Sequence, residues 1–240
     1  MGTPVITCAC AVCQSKDPKN HRLRPSALLK VGGKQILIDA GPDFRTQALR
    51  AGIQDLDGVI VTHTHMDHVA GLDDLRVFDF YHKKKLPCLV SESSMKEIRT
   101  TFPFFFRPDK MRFEFTTFDG DFGEVSFLDL QWKYGSYIQN GMKVSAFRLG
   151  SFAYVLDIKE YTDEIFVFLQ GVQTLILSAL RERPSPAHLT VEDAIQFAKK
   201  VGAAKTYFSH ISHDVDHEAV SKKLPRGIEL AYDGLEVTFG

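Results

Sequence analysis

The feature that most narrows what this 240-residue chain can fold into is the run VIVTHTHMDHVAGLDDLR, residues 59–76. The β-branched residues Val59, Ile60 and Val61 follow the turn pair Asp57-Gly58 and read as a buried strand. Directly after them come His63, His65, Asp67 and His68, four potential metal ligands within six residues. Alternate side chains of an extended segment share a face, so His63 and His65 point the same way. Asp67 and His68 follow where the chain turns into a helix. One segment thus aims two groups of ligands at adjacent points, and imidazole with carboxylate suits zinc, manganese or iron. The bland alternative, a solvated polar loop, does not explain why this order of ligands follows a buried strand.

More polar residues stand at strand ends: Asp39 after Ile36-Leu37-Ile38, Asp157 after Tyr154-Val155-Leu156, and His210 after Tyr207-Phe208-Ser209. Singly, an Asp in such a place reads as a turn former. Beside the histidine cluster, these residues read as ligands on loops at one sheet edge, a rigidly supported site. The chain has 4 cysteines, and Cys8, Cys10 and Cys13 lie close together while Cys88 stands alone. Cys-x-Cys-x-x-Cys spacing suits tetrahedral zinc with a fourth ligand from elsewhere; three unpaired thiols in a loop is the alternative.

The composition sets outer bounds. A net charge of −1 argues against a basic protein that coats nucleic acid, though not against a local basic groove. No stretch reaches roughly 18 uninterrupted apolar residues, so no membrane span is expected. The opening MGTPVITCAC lacks the pattern of a signal peptide, and the expected compartment is the cytoplasm. A single domain over residues 1–240 is expected, of α/β (α+β) class.

Patterning predicts a hairpin of 26–31 and 35–38 around Gly32-Gly33, a helix over 45–51 ended by Gly52, and a helix over 69–81 with Val69, Leu72, Leu75 and Phe78 on one face. It further predicts a short helix over 95–100, a hairpin of 144–149 and 152–157 around Gly150, and strands over 174–178 and 205–209. A helix over 191–201 closed by Gly202 and a terminal hairpin over 229–239 around Asp233-Gly234 complete the list. Residues 102–118 hold seven phenylalanines and read either as core strands around a Pro-bounded turn or as a lid or subunit interface.

Four pieces, in this order, carry a resemblance: Cys8-Ala9-Cys10-Ala11-Val12-Cys13, Ile38-Asp39-Ala40-Gly41, His63-Thr64-His65-Met66-Asp67-His68, and Ser209-His210-Ile211-Ser212-His213. With them the chain resembles the metallo-β-lactamase superfamily, and within it the PhnP-type cyclic phosphate phosphodiesterases. The resemblance implies a four-layer αββα sandwich with two divalent metals (zinc, manganese or iron). His63 and His65 would hold one, Asp67, His68 and His210 the other, with Asp157 bridging and Asp39 orienting the motif loop. It implies a structural zinc on Cys8, Cys10, Cys13 and His213, and His188 as a general acid beside the metal-binding Asp67. A phosphodiesterase acting on a small cyclic phosphate or nucleotide-like ester, with metal-activated water as nucleophile, is the implied activity.

The sequence departs from the pattern twice. The family's strand and Gly-rich turn do not precede the cysteines here, so either that first strand is absent or the given start lies downstream of the true one. No histidine occurs between His82 and His188, where the family has another ligand, and Tyr134 in Trp132-Lys133-Tyr134-Gly135 is the expected stand-in. A phenol is a poorer ligand because it must first ionise. Rival readings are a ribonuclease of the tRNase Z kind, with Lys83-Lys84-Lys85 and the 107–112 region as its only basic candidates, and a degenerate, non-catalytic metal-binding or interaction protein. The expected partner is a small phosphodiester, with no nucleic acid and no membrane, and a homodimer is allowed.

Overall fold

The computed structural model describes residues 2–107 and 112–240. By its internal contacts the chain divides into two compact units. One comprises Arg24–Gly120 and Val125–Gln131; the other comprises the N-terminal residues through Leu23, Asp121–Glu124 and Trp132–Gly240.

The first unit is built on a five-stranded sheet in the order β1-β2-β3-β4-β5. Strands β1 (Ala27–Val31) and β2 (Lys34–Ile38) form the expected hairpin, because Gly32 and Gly33 take the left-handed φ values of +57° and +73° that its turn requires. Strands β3 (Gly58–Ile60), β4 (Leu86–Ser91) and β5 (Phe113–Phe118) add in parallel. Helix α1 (Phe44–Ala51) ends on Gly52 in left-handed conformation, as its sequence demands.

The single helix expected over 69–81 is broken into α2 (Met66–Val69), a 3-10 turn (Ala70–Asp73) and α3 (Arg76–His82). Its predicted apolar face is nonetheless buried at Val69, Leu72, Leu75 and Phe78. The break falls at Gly71, whose N–H leaves the helical ladder to donate to the Ala40 carbonyl at 2.8 Å. A Cβ at Gly71 would lie 2.1 Å from the Gly41 carbonyl oxygen, so the two chain segments touch through backbone. Helix α4 (Glu92–Thr101) begins earlier than expected because Ser91 caps it, accepting from the Ser94 N–H at 3.2 Å. In the Phe-rich segment, Phe102, Phe105, Phe113 and Phe118 are core residues around the turn Pro103–Phe106, which fits the core reading. Residues 108–111 of that segment, including part of the 107–112 basic candidate, lie outside the described residues.

The second sheet has the order β12-β11-β10-β9-β8-β7-β6. Strands β6 (Phe122–Phe127) and β7 (Leu130–Gln139) each have residues in both units. Strands β7, β8 (Met142–Leu149) and β9 (Phe152–Val155) pair antiparallel. Strands β9, β10 (Thr174–Ser178), β11 (Lys205–Ser209) and β12 (Ile228–Leu230) pair in parallel, so their C-terminal ends share one edge. Helices α5 (Glu164–Phe168), α6 (Val191–Val201) and α7 (His217–Ser221) complete the unit. Helix α6 has the predicted bounds, set by a capping box of Thr190 and Asp193 and by left-handed Gly202.

The terminal hairpin expected over 229–239 does not form. Strand β12 pairs in parallel with β11, and no strand returns after Gly234. The Asp233 carboxylate accepts the Leu23 N–H at 3.1 Å, the Leu235 N–H closes a turn on Tyr232, and Phe239 stacks on Phe152 at 4.6 Å. These contacts engage the segment that a hairpin would need. Among the described residues, no helix is long and apolar enough to cross a membrane.

The contact of residues 40–41 with the histidine loop gives a direct test. A Cβ on Gly41 would lie 2.1 Å from the Asp67 carbonyl oxygen, a clash with backbone that cannot swing aside. Gly41→Ala is expected to cost about 1–3 kcal/mol of unfolding free energy. Chemical denaturation measures it, and an unchanged midpoint would contradict the packing described.

Candidate metal centres

In the first unit, the C-terminal ends of β2 and β3 bring Asp39 and the histidine loop together. Asp39 is fully buried and takes φ +61°. Its Oδ1 accepts the Thr62 N–H at 2.8 Å, while its Oδ2 accepts the Thr62 hydroxyl at 2.8 Å and His68 Nδ1 at 2.7 Å. The carboxylate only accepts, so His68 carries its proton on Nδ1 and offers Nε2 as its ligand atom. The Thr62 hydroxyl spends its one proton on Asp39. It must therefore accept from His63 Nδ1, 2.9 Å away, which leaves Nε2 as the His63 ligand atom too.

His63 Nε2 and His65 Nδ1 stand 3.0 Å apart. Two nitrogens of a tetrahedral ion sit about 3.3 Å apart when each is 2.0–2.1 Å from the metal, so this pair fits a shared ion. Asp67 Oδ2 lies 4.0 Å from His68 Nε2. The shared direction of His63 and His65 is thus found, and Thr62, which links Asp39 to His63, is a residue that sequence reading missed.

In the second unit, Asp157 and His210 follow β9 and β11 at the shared strand edge, with φ of +57° and +54°. Non-glycine residues held there cost on the order of 1–3 kcal/mol each and cluster at functional sites. Asp157 Oδ1 lies 3.3 Å from His188 Nδ1 and 3.3 Å from His210 Nε2, and the two imidazoles stack at 5.3 Å. All three residues offer a ligand atom within 4.8 Å of one another. Their carboxylate and imidazole donors fit a divalent ion. His188 sits two residues before Thr190, the α6 cap, and next to Leu189, whose carbonyl accepts the Leu180 N–H at 3.2 Å.

Tyr134 is placed differently from its neighbours in this set. It pairs with Phe147 in the row of Tyr154, and a Cβ on Gly123 would lie 2.4 Å from its hydroxyl. The β7 residue that reaches the His188 ring is Gln139, with Nε2 at 3.1 Å from His188 Nε2. Sequence reading did not single out Gln139; the register of the β7–β8 hairpin and the place of His188 bring it out.

The cysteine group also lies in the second unit. His213 Nδ1 stands 3.2 Å from Cys8 Sγ and 3.5 Å from Cys10 Sγ, and all four ligand atoms of Cys8, Cys10, Cys13 and His213 lie within 4.8 Å of one another. A tetrahedral zinc with three thiolates and one imidazole needs S···N separations of about 3.6 Å, so the donor set fits. The Cys13 N–H donates to Cys10 Sγ at 3.4 Å and, with His213, holds the Cys10 thiol down at about 6. Burial pushes the Cys13 thiol up to about 11. The loop is clamped by buried Arg22, which donates to the carbonyls of Ser212 at 3.1 Å and Val215 at 2.9 Å.

The chain matches the beta-lactamase superfamily domain over residues 34–211 and belongs to that family. It is 38% identical to a crystal structure of a diphosphatase from the PhnP family, with a TM-score of 0.91 over 98% of this chain and 91% of that one. The metallo-β-lactamase fold implied by the motifs is therefore the fold of this chain, a mixed α/β architecture with two sheets, and it implies binding of divalent metal.

The chain is 34% identical over 242 residues to an octanoyltransferase of Porphyromonas gingivalis, spanning 98% of itself and 49% of that protein. It is 38% identical over 85 residues to ribonuclease Z of Methanopyrus kandleri, 32% of this chain and 30% of that one. The matched parts thus span half or less of the length of these curated relatives.

A proton count tests the cysteine group. Cys13 is protonated at pH 7 in the metal-free chain and must lose that proton to become a thiolate ligand. Zinc uptake at pH 7 should release at least one proton, read by isothermal titration in buffers of different ionisation enthalpy. Uptake without proton release would exclude Cys13 as a ligand.

Proposed function

We propose that the chain is a metal-dependent phosphodiesterase acting on a small cyclic phosphate or nucleotide-like ester. The observation that carries this reading is the grouping of Asp157 and His210, just beyond strands β9 and β11 and held at positive φ, with His188 from the loop before α6. The tautomer-fixed His63 and His68, with His65 and Asp67, form the second required ligand set. The 38% identity to a PhnP-family diphosphatase supports a phosphorus-centred substrate. Divalent ions held by Asp157 and His210 and by His63, His65, Asp67 and His68 would act as Lewis acids and acidify water near neutral pH, with His188 left to carry a proton.

The chain's own groups do the rest. Asp157 and Asp67 offset the ions' charge and orient them. His188, whose Nδ1 faces Asp157, is held to pass a proton from its ring to the leaving alkoxide. Cys8, Cys10, Cys13 and His213 hold a structural zinc that fixes the loop carrying His210. Close-set reduced thiols suit a reducing compartment, consistent with the cytoplasm.

The ribonuclease reading has less support. Lys83 is the left-handed cap of α3 and Lys84 pairs with Asp55 at 3.6 Å, so this basic run closes a helix.

Asp67→Ala and His210→Ala are each expected to lower hydrolysis of a generic phosphodiester at least ~100-fold. His188→Ala should hurt esters with alkoxide leaving groups more than nitrophenyl esters, which need little proton donation. Equal losses on both would remove His188 as the acid. An inactive metal-loaded, unaltered chain would favour the non-catalytic reading.

A further inference from the structure

The chain lacks a histidine in the segment where its relatives' pattern has one, yet a different donor stands at the Asp157 edge. Gln139 is the last residue of β7, paired with Met142 across the Asn140-Gly141 turn, and is 2% exposed. Its Nε2 approaches His188 Nε2 at 3.1 Å, and His188 Nδ1 lies 3.3 Å from Asp157 Oδ1. The carboxamide and the carboxylate thus border one imidazole. Its Oε1 is buried and has no hydrogen-bond partner among the described residues. A buried acceptor left unsatisfied costs on the order of 1–3 kcal/mol, so an oxygen placed there calls for an occupant. With its nitrogen turned to the imidazole, the oxygen is the carboxamide atom left to meet a cation.

The geometry points to Gln139 Oε1 as a ligand of the divalent ion held with Asp157, in the role that Tyr134 was expected to fill. The assignment rests on the metal-dependent reading above. It has a chemical consequence. A carboxamide oxygen is a neutral, hard donor, and hard donors suit manganese or magnesium, whereas imidazole suits zinc. Exchanging imidazole for carboxamide therefore shifts this position's preference from zinc towards manganese, and makes its ion the more easily lost. The Tyr134 hydroxyl stands against Gly123, where a Cβ would meet it at 2.4 Å.

The test measures metal binding without reference to turnover. The full chain, its cysteine group loaded with zinc, is titrated with manganese, and free manganese is read by electron paramagnetic resonance. Zinc uptake is measured in parallel against a chelator. Gln139→Leu should weaken manganese binding at least about 10-fold. Gln139→Glu, which keeps an oxygen there and adds charge, should bind manganese at least as tightly as the unaltered chain, and serves as the control for folding. Gln139→His should raise the zinc-to-manganese affinity ratio at least about 10-fold. Tyr134→Phe should change none of these.

Manganese binding unchanged in Gln139→Leu, or lost in Gln139→Glu, would overturn the assignment while leaving the hydrolase reading intact. An unaltered chain that takes up no ion beyond the cysteine group would overturn both.

Discussion

A carboxylate removed entirely from water holds the histidine loop in place. Asp39 has no exposed surface, and a buried charge of this kind is tolerated only when its acceptor positions are filled. Thr62 fills two of them and His68 a third. Because the carboxylate cannot donate, it dictates the tautomer of His68 directly and that of His63 through the Thr62 hydroxyl. The backbone follows the same anchor: the Ala40 N–H donates to the His68 carbonyl at 2.8 Å, and Gly71 returns a bond to the Ala40 carbonyl at 2.8 Å. Glycine at 41 and 71 lets these segments meet at backbone distance. Two imidazoles and the turn that carries them are therefore set by three consecutive residues, Asp39-Ala40-Gly41.

The other unit uses the same device in a different place. Parallel strands end together, and the residues just beyond β9 and β11 are bent into left-handed conformation, which turns Asp157 and His210 out of the strand direction. Backbone bonds hold that bend: the Ala179 N–H donates to Ser209 at 3.1 Å and the Ser212 N–H to Leu180 at 2.8 Å. Three residues after His210, His213 joins the cysteine group, while Arg22 clamps the same loop from the N-terminal segment. Cys8, Cys10 and Cys13 are thus joined, through His213, to the backbone that carries His210.

What could be read from the sequence follows from how local each signal is. The histidine motif, the strand-end aspartates and the cysteine spacing are short-range patterns, and the family match agrees with the fold they implied. The β1–β2 and β8–β9 hairpins and helix α6 were legible because their turn and cap residues lie beside the periodic segments they bound. The break at Gly71 was not, since its cause is a contact with Gly41 thirty residues away. The terminal hairpin failed for a similar reason: Asp233 serves Leu23 and Phe239 serves Phe152, neither of them near in sequence. Gln139 was overlooked because a glutamine in a strand carries no chemical signature; only the register of the β7–β8 hairpin and the position of His188 give it one. Tyr134 drew attention by its residue type.

Metal held by the two histidine and aspartate sets, as well as by the cysteines, underlies the proposed chemistry. Anomalous diffraction from crystals grown with zinc and manganese, collected on either side of each absorption edge, locates each ion directly. Peaks on Cys8, Cys10, Cys13 and His213 and at both the His63/His65/Asp67/His68 and the Asp157/His210 ligands are the predicted result. A zinc peak on the cysteine group alone, with none at the other ligands at saturating metal, would contradict it.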